Sequence, residues 1–348
     1  MRLLTYNLWH GLSPSSPVAF EALEPAGRLE LRRQQQIKLL QELHVDVALL
    51  QEVNPYPARV LEFKAKLEMV AAVQPDLVGL KLFGVGLPLN LNSALVTLAG
   101  ASYGLKKLEG VSLSRPGTHL VHGWGSWQLK EERFALLSEA MLPKWGRVLI
   151  VNTHLHHGLE TTLEFLNEVD RLSDELKLSE NLVSELKSRL VAGGQRRLRE
   201  MEVLLSAVAK YQRRYEVVLI GGDLNARPGS EVAHLLSEAG FRDVWKEACP
   251  EKDGFSFDGT VNVANHMLAE GFPLTLVVED LSFSAKVKDA LMTLARKQEN
   301  SARRIDHLWI RSGSIGLKAT RAELVGLPDV EGLAASDHFG VCADLELV

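Results

Sequence analysis

Side chains that bind metal ions or transfer protons follow several of the chain's apolar runs. Asn7 follows the first run, Glu52 ends the second and His154 follows a third. Further residues of these types take equivalent positions, and they are Asp223, Asn225, Asp306, Asp337 and His338. One or two of them would be ordinary turn residues, because Asn and Asp are frequent where strands end. A set of eight carboxylates, amides and imidazoles in such positions indicates a reactive site built from strand ends.

The segments that carry these residues have the patterns of strands and helices. Strands are predicted over residues 2–8, 45–50, 93–98, 134–141, 147–153, 216–221, 305–311 and 340–348. Helices are predicted over residues 28–43, 59–73 and 231–240. Strands and helices mixed along the chain in this way indicate an α/β protein.

The first of two insertions into this pattern is a long helical segment. Residues 159–193 carry leucines at helical spacing among Glu, Lys and Ser, and Gly193-Gly194 is predicted to close the segment before a helix resumes at about 196–214. A solvated insertion that packs on itself or on a partner chain explains this pattern better than a catalytic role does. An oligomer formed through residues 159–192 is therefore one alternative.

The second insertion, at about residues 272–300, begins with an apolar stretch and continues in a helical pattern over 284–297. The apolar stretch, residues 272–278, has two interpretations. One is a loop that contacts a membrane surface, and the other is a buried strand. The pattern alone supports both.

The overall composition is that of a globular protein. The chain has 348 residues, of which 46% are hydrophobic and 24% charged, and 39 basic against 44 acidic side chains give a net charge of −5. These values exclude a disordered chain, a collagen-like repeat and a disulfide scaffold. No apolar run reaches the ~18 residues of a membrane-spanning helix, and the N-terminus lacks the apolar core of a signal peptide. With Cys249 and Cys342 expected to be reduced, a cytoplasmic protein is predicted.

Six short motifs run through almost the whole chain in a fixed order. They are Thr5-Tyr6-Asn7-Leu8-Trp9, Leu50-Gln51-Glu52-Val53, Asn152-Thr153-His154-Leu155, Gly222-Asp223-Leu224-Asn225, Arg304-Ile305-Asp306-His307 and Ser336-Asp337-His338. Together they resemble the motif series of the endonuclease/exonuclease/phosphatase superfamily. The resemblance implies one catalytic domain over residues 1–348 with the fold of pancreatic deoxyribonuclease. This fold is an α/β four-layer sandwich, in which two stacked, mostly antiparallel mixed sheets are flanked by helices. The two insertions depart from the minimal family core.

The resemblance also implies a divalent metal ion, and the residue types agree with it. Mg²⁺ or Mn²⁺ prefers oxygen ligands, usually one or two carboxylates, and keeps several waters. Glu52 is the predicted direct ligand, with Asn7 and Asp337 near it. A solvated strand end is the competing interpretation of Glu52, and the apolar run over residues 48–50 before it argues against that interpretation.

Two histidines are predicted to act in catalysis. His338 is the predicted general base, because an imidazole with a pKa of about 6.5 accepts a proton from water near neutral pH. The resemblance implies that Asp306 fixes the tautomer of His338. It also implies that His154 donates a hydrogen bond to a phosphate oxygen, where charge develops in the transition state. His156 lies on the same predicted strand face as His154 and stays an alternative to it.

Asp223 and Asn225 are two positions apart, so both side chains face one way on an extended strand tip. Asp223 is predicted to orient or deprotonate the attacking water or the leaving group, and Asn225 to contact the phosphate. An Asx turn before Pro228 is the competing interpretation of Asn225. The predicted substrate contacts are Asn225, His154 and Trp9.

These residues predict a divalent-metal-dependent phosphoric ester hydrolase, and first of all a phosphodiesterase that uses in-line attack by an activated water. The triplet Asn7-Leu8-Trp9 resembles sphingomyelinase-like members of the superfamily, which favours a phospholipid or sphingolipid head group. An endonuclease or exonuclease is the alternative, but a net charge of −5 does not favour nucleic acid. Further alternatives are a phosphomonoesterase on a small phosphorylated molecule and an inactive binding module. The inactive module requires a lost site residue, and the motifs lack none.

Overall fold

The computed structural model describes residues 1–13, 18–83, 85–114, 119–122, 125–128, 132–262, 283–329 and 332–348. The strands within these residues are β1 (Arg2–Asn7), β2 (Leu12–Ser13), β3 (Glu21–Ala22), β4 (Val47–Val53), β5 (Met69–Leu77), β6 (Leu80–Leu82), β7 (Val85–Leu87), β8 (Ser93–Gly100), β9 (Lys106–Ser112), β10 (His119–His122), β11 (Gly125–Gln128), β12 (Phe134–Leu142), β13 (Gly146–His154), β14 (Val217–Asp223), β15 (Arg242–Asp243), β16 (Asp306–Ser312), β17 (Leu317–Val325) and β18 (Gly340–Leu347). The helices are α1 (Ala26–Leu43), α2 (Tyr56–Leu67), α3 (Leu163–Glu175), α4 (Glu180–Tyr211), α5 (Glu231–Glu238), α6 (Val244–Ala248) and α7 (Ala285–Glu299).

Most of these strands belong to two six-stranded sheets. The first sheet has the strand order β17-β18-β1-β4-β8-β5, and the second has the order β15-β16-β14-β13-β12-β9. Each sheet contains one parallel pair among its described strands, β1 with β4 and β13 with β14, and the other pairs are antiparallel. The predicted α/β fold with two mixed, mostly antiparallel sheets is therefore confirmed.

The two sheets stack face to face on a shared apolar core. Leu49 of β4, Ile150 of β13 and Leu219 of β14 belong to one cluster of fully buried residues drawn from both sheets. Helices α1 and α2 cover the outer face of the first sheet through residues such as Phe63. Helices α4 and α5 cover the outer face of the second sheet through residues such as Leu204. Each side chain buried in this way contributes about 1.5–3 kcal/mol, which holds the four layers together.

The two parallel pairs decide where the site forms, because parallel strands end at the same edge of a sheet. Asn7 ends β1, and Glu52 lies near the end of the neighbouring β4. In the second sheet, His154 at the end of β13 is in register with Asp223 at the end of β14. The antiparallel strand β16 begins at this edge, since Asp306 is paired with Asp223.

A buried polar contact ties the two sheets together just behind this edge. Gln51 Nε2 donates a hydrogen bond to Asn152 Oδ1 at 2.8 Å, and Asn152 Nδ2 donates to the carbonyl of Leu50 at 3.0 Å. Both amide side chains are fully buried. These hydrogen bonds between the sheets favour one relative position of the sheets, because a shift would break them in a buried environment.

The prediction of a helix over residues 59–73 is wrong in its second half. Helix α2 ends at Leu67, and Glu68 after it has a left-handed backbone with φ 54°. Residues from Met69 onward form β5, which pairs with β8. The strands β5, β9 and β17, none of which was predicted, each lie at an outer edge of a sheet. Edge strands are half exposed, so their residue pattern is mixed and gives a weak strand signal.

The helix break predicted at Gly193-Gly194 is also wrong, because α4 continues through both glycines. A Cβ on Gly193 would lie only 3.2 Å from the Cα of Gly158, in the loop that follows β13. Gly193 therefore permits a close crossing of two backbones and does not end a helix. This crossing holds the segment after His154 against α4.

The two insertions pack on each other. Phe165 of α3, Leu190 of α4 and Leu291 of α7 belong to one cluster of buried apolar residues. The helical insertion thus packs on itself and on the second insertion, which agrees with the prediction that it packs on itself. The apolar stretch 272–278 falls within residues 263–282, which lie outside the described residues. None of the helices in the described part of the chain is long and apolar enough to cross a membrane.

Candidate active site

Glu52 is presented to the site by an irregularity in β4. The register between β4 and β8 shifts between Leu50 and Val53, and Glu52 has a left-handed backbone with φ 55°. An extra residue in a strand redirects a side chain, and a backbone of this kind costs about 1–3 kcal/mol. Glu52 Oε1 accepts a hydrogen bond from Asn7 Nδ2 at 3.1 Å, and Oε2 accepts one from the N–H of His10 at 3.0 Å. Both oxygens are thus fixed by β1 and the loop that follows it.

The side chains of the two sheets converge on Asp223. Its Oδ2 lies 3.1 Å from Asn7 Nδ2, 3.4 Å from His154 Nε2 and 3.7 Å from His338 Nε2. Asp223 and His154 come from the second sheet, whereas Asn7 and His338 belong to the first sheet and the loop before its strand β18. One carboxylate oxygen is therefore surrounded by three groups able to donate a hydrogen bond.

His338 and Asp306 form a buried pair. His338 Nδ1 lies 2.7 Å from Asp306 Oδ2, and both side chains are almost fully buried. Because Nδ1 is engaged by Asp306, the other ring nitrogen is the one that faces Asp223. Ser256 Oγ accepts hydrogen bonds from the N–H groups of Ile305 and Asp306 at 3.0 and 2.9 Å, which holds the backbone under this pair.

The charges around His338 favour its protonated form. Burial lowers the pKa of His338, but the carboxylates of Asp306, Asp337 and Asp223 overcome that effect and raise the pKa well above 6.5. Burial raises the pKa of Asp223 to about 6, and the charge of Asp306 adds to the rise. Burial likewise raises the pKa of Asp337 to about 7. The raised pKa values of His338, Asp223 and Asp337 show that several carboxylates share one buried site, where their negative charges are unfavourable.

The donor set around Glu52 fits a hard divalent cation. Burial by itself raises the pKa of Glu52, yet the charges of His10 and His154 overcome burial and hold the pKa below its ordinary value. Glu52 is thus ionised, and its charge in turn raises the pKa of the nearby Asp337. The partly exposed carboxylate of Glu52 and the buried carboxylate of Asp337 are close enough for their charges to interact, and a cation that prefers oxygen ligands would relieve this repulsion.

A second group of ligand atoms lies beside the first. Asp223, Asp306 and His338 each offer one atom, and the three atoms lie within 4.8 Å of one another. Asp306 Oδ1 is buried and accepts no hydrogen bond from the described residues. A cation or a water would supply the partner that this oxygen lacks. This group is able to hold a metal ion. However, His338 Nδ1 is hydrogen-bonded to Asp306, which fits a role of Asp306 in orienting the imidazole better than a role of both residues as metal ligands.

Asn7 and Trp9 lie at the site in orientations that bear on their predicted roles. Asn7 Oδ1 accepts a hydrogen bond from the N–H of Trp9 at 3.0 Å, so the amide nitrogen faces Glu52 and Asp223. Trp9 is only 5% exposed, and the guanidinium carbon of Arg32 lies 4.6 Å from its ring centroid. A metal ligand at Asn7 would need the amide to turn, and Trp9 offers little surface to a substrate. Both roles stay predictions.

Asn225 lies on a turn that Asp223 stabilises. Its N–H donates to Asp223 Oδ1 at 2.9 Å, and its φ of 49° is one that Asn adopts more readily than most residues. The Asx turn is therefore formed by Asp223, and the side chain of Asn225 donates to the carbonyl of Leu155 at 3.1 Å. Asn225 lines a small cleft together with His157 and Arg303. Its predicted contact with phosphate stays a prediction.

A family model described as the Endonuclease/Exonuclease/phosphatase family matches residues 4–338, which is nearly the whole chain. The chain belongs to this family. The resemblance drawn from the six motifs is thereby confirmed. Members of the family are metal-dependent hydrolases of phosphoester bonds, so the chain is assigned this general chemistry and a phosphate-ester substrate.

Solved structures with the family fold cover the chain almost completely. A humanized D. rerio TDP2 with 14 mutations has a TM-score of 0.56 and 17% identity, covering 99% of this chain and 98% of that one. A functionally unknown conserved protein from Enterococcus faecalis V583 has a TM-score of 0.55 and 17% identity, covering 100% of both chains. A family protein from Bacteroides thetaiotaomicron has a TM-score of 0.56 and 13% identity, covering 99% of this chain and 94% of that one. At these identities the likeness shows the fold alone. A comparison with curated proteins finds no match.

Sequence reasoning missed the basic residues that complete this family site. Arg133 Nη1 lies 3.2 Å from His154 Nδ1, and its Nη2 lies 2.9 Å from His157 Nδ1. His10 binds Glu52 through its N–H, as described above. A sequence signal for Arg133 exists, because Arg133 directly precedes β12. Strand β12 pairs with β13, so the start of β12 lies beside the end of β13 at His154. The buried Asp76 at the end of β5 had no such signal, because that strand was not predicted.

Proposed function

We propose that the protein is a divalent-metal-dependent phosphodiesterase that cleaves its substrate by in-line attack of a water. The observation that supports this most directly is the convergence of Asn7 Nδ2, His154 Nε2 and His338 Nε2 on Asp223 Oδ2, at 3.1, 3.4 and 3.7 Å. These groups supply a proton acceptor and several donors within a space the size of one phosphate group. Positioning and electrostatic stabilisation of that kind are what phosphoryl transfer requires.

The charge distribution supports a division of roles within the site. His338, protonated among its carboxylates, donates to a phosphate oxygen, and His154 donates from the second sheet. Asp223, whose pKa is raised by burial to about 6, accepts the proton of the attacking water. Asp306 holds the imidazole of His338 in place through Nδ1. The role of general base, which the sequence assigned to His338, thus passes to Asp223 in this proposal.

The balance of charge supports a diester over a monoester. Glu52, Asp337 and, in the other amide orientation, Asn7 would hold Mg²⁺ or Mn²⁺, which supplies positive charge that polarises the phosphate. The site also contains Asp223 and Asp306, so its negative charge remains large. A diester phosphate carries one negative charge where a monoester carries up to two, and the monoanion is repelled less by these carboxylates.

A phospholipid or sphingolipid head group is our first candidate for the substrate. It is supported by the triplet Asn7-Leu8-Trp9, and by the interpretation of residues 272–278 as a loop that contacts a membrane surface. Single-stranded nucleic acid is the second candidate, because the similar D. rerio TDP2 was solved with a single strand DNA product. The cleft beside Asn225 contains Arg303, which suits an anionic chain.

The remaining alternatives have weaker support. A phosphomonoesterase would bring a more negative substrate to an acidic site, and an inactive module would not need the complete set of site residues. The two described cysteines, Cys249 and Cys342, are free thiols, which supports a reducing, cytoplasmic location. Because the helices of residues 159–192 pack against α7, an oligomer through them has no direct support.

The experiment that tests the proposal is a hydrolysis panel on the purified protein. It compares bis-p-nitrophenyl phosphate, p-nitrophenyl phosphate, sphingomyelin vesicles, single-stranded DNA and RNA, each with Mg²⁺, Mn²⁺ or EDTA. We expect EDTA-sensitive hydrolysis that is faster on the diester than on the monoester. Release from vesicles but not from DNA would support the lipid candidate. Faster hydrolysis of the monoester, or activity that survives EDTA, would reject the proposal.

His338→Ala is the matching test of the site. Loss of the imidazole should lower the rate of diester hydrolysis by about 10²-fold or more without unfolding the protein. His234→Ala, on the exposed face of α5, serves as the control and should keep the wild-type rate. Near-normal hydrolysis by a folded His338→Ala protein would remove His338 from the mechanism.

A further inference from the structure

The hairpin formed by β6 and β7 turns its apolar side chains outward. Paired residues of an antiparallel hairpin lie on the same face of the sheet. On one face the pairs are Leu80 with Leu87 and Leu82 with Val85, whose exposed fractions are 61, 42, 53 and 71%. The charged residue of the hairpin, Lys81, lies on the other face, where it is buried and bonded to a backbone carbonyl. This is the reverse of the usual arrangement for a strand at a protein surface.

Two neighbouring residues extend this surface. Phe83 at the turn is 77% exposed and Leu89 is 53% exposed. Six of the sixteen large hydrophobic residues exposed in the described part of the chain therefore lie within residues 80–89, which we call the apolar hairpin. They expose roughly 600 Å² in total, at the upper end of the largest apolar patch on ordinary monomers. Such concentration marks a binding surface.

The apolar hairpin rises from the edge of the molecule that carries the active site. Along the chain, the apolar hairpin connects the end of β5 to the start of β8. At the start of β8, Ala94 is paired with Val53, the residue after Glu52. On its other side β6 pairs with β11, which precedes Arg133 at the site. The apolar hairpin therefore extends from the same edge of the first sheet as Glu52.

We propose that the apolar hairpin docks the protein on the surface of a lipid bilayer. Residues 77–100 contain one charged side chain, Lys81, and no carboxylate, so the segment does not repel an anionic lipid surface. A tip of leucine, valine and phenylalanine enters the head-group layer without needing a rigid matching surface.

This inference goes beyond the proposed chemistry, because it concerns where the protein binds and not which bond it cleaves. Its test is sedimentation of the full chain with vesicles of phosphatidylcholine, alone or mixed with phosphatidylserine. The double variant Leu82→Thr/Val85→Thr keeps residues that favour strands while removing apolar surface. We expect the variant to lose about tenfold or more in vesicle partitioning. Leu61→Thr, at a position 68% exposed on α2, should stay within about twofold of the wild type.

Three results would overturn the inference. The first is a wild type that sediments with neither vesicle, and the second is a double variant that binds as well as the wild type. The third is a wild-type dimer in analytical ultracentrifugation that the double variant abolishes, because a second copy of the chain would then cover the apolar hairpin. Hydrolysis of soluble bis-p-nitrophenyl phosphate should be unchanged in the double variant. A wild type that binds vesicles but cleaves no phosphate ester would refute the proposed function alone.

Discussion

At the scale of single residues, neighbouring acids of the site have pKa values that their surroundings move in opposite directions. Burial raises the pKa of Asp223 to about 6 and that of Asp337 to about 7, whereas the charges of His10 and His154 hold the pKa of Glu52 low despite burial. Acids whose pKa values are separated in this way can take different tasks at one pH. Glu52 is therefore suited to bind a cation, and Asp223 to exchange a proton.

Glu52→Gln tests the first of these tasks. The substitution keeps the size of the side chain and an acceptor for the N–H of His10 but removes the charge. We expect the metal concentration that gives half-maximal hydrolysis to rise by about tenfold or more. Glu42→Gln on α1, whose side chain is 62% exposed, is the control and should leave the metal titration unchanged. A titration of Glu52→Gln that overlays the wild type would remove Glu52 from the ligand set.

Asp76 gives a prediction about stability and pH. Burial raises the pKa of its carboxyl from 3.8 to about 6, against the opposing charge of Arg133. The folded protein therefore binds this proton more tightly than the unfolded chain does. The contribution of Asp76 to stability is present below pH 3.8 and is lost as the pH rises through about 6.

Asp76→Asn cannot ionise and should therefore be more stable than the wild type at high pH. We expect an increase of about 1–3 kcal/mol in the free energy of unfolding at pH ~8, and little or none at pH ~4. Urea unfolding at the two pH values measures the difference. Asp174→Asn, at an exposed position of α3, is the control and is unfolded under the same conditions. An equal effect of Asp76→Asn at both pH values would contradict the assigned pKa.

At the scale of elements, the site depends on where strands end and on how closely the elements cross. The strands β1, β4, β13 and β14 end at one edge, and the loop after β13 is held by its crossing with α4. The close approach of Gly158 and Gly193 makes this crossing possible. The helical insertion therefore supports the segment that follows His154, besides packing against α7.

Substituting each of the two adjacent glycines of α4 in turn distinguishes the effect of the backbone crossing from the effect of helix propensity. A Cβ at Gly194 would meet only Arg197 Nη2, at 3.9 Å, so Gly194→Ala should stabilise the protein by about 0.5–1 kcal/mol. A Cβ at Gly193 would lie 3.2 Å from the Cα of Gly158. Gly193→Ala should therefore lose stability and slow diester hydrolysis, because the loop after His154 must move. Urea unfolding and hydrolysis assays check both variants, and identical behaviour of the two would contradict this account.

At the scale of the whole molecule, the chain is built from a two-sheet core and a helical cluster that the insertions form. The core contains residues such as Leu219, and the cluster contains residues such as Leu291, which is 2% exposed. Helix α4 joins the cluster to the second sheet, because it contributes Leu190 to the cluster and Leu204 to the apolar layer on the outer face of that sheet. A helix shared between two clusters couples their unfolding, so we predict one cooperative domain over residues 1–348.

Calorimetry of Leu291→Ala and Leu219→Ala tests this prediction. Each substitution removes a buried side chain and should cost about 2–4 kcal/mol of unfolding free energy. If the chain unfolds as one domain, both variants lower the temperature of the same single transition. A second transition, moved by Leu291→Ala and not by Leu219→Ala, would show that the helical cluster unfolds by itself.

The family and the chemistry of the site are readable from the residues alone, because they depend on local patterns. Apolar runs predict strands wherever they are, and the acids, amides and imidazoles at their tips keep their chemistry in any fold. The six motifs therefore predict the residues of the site. The tertiary structure decided what depends on a distant partner. Residues 69–77 form a strand because β8 lies beside them, and Gly193 stays helical because Gly158 crosses it. The same holds for the amide of Asn7 and for the pKa of Asp223, which are set by neighbours that only folding brings close.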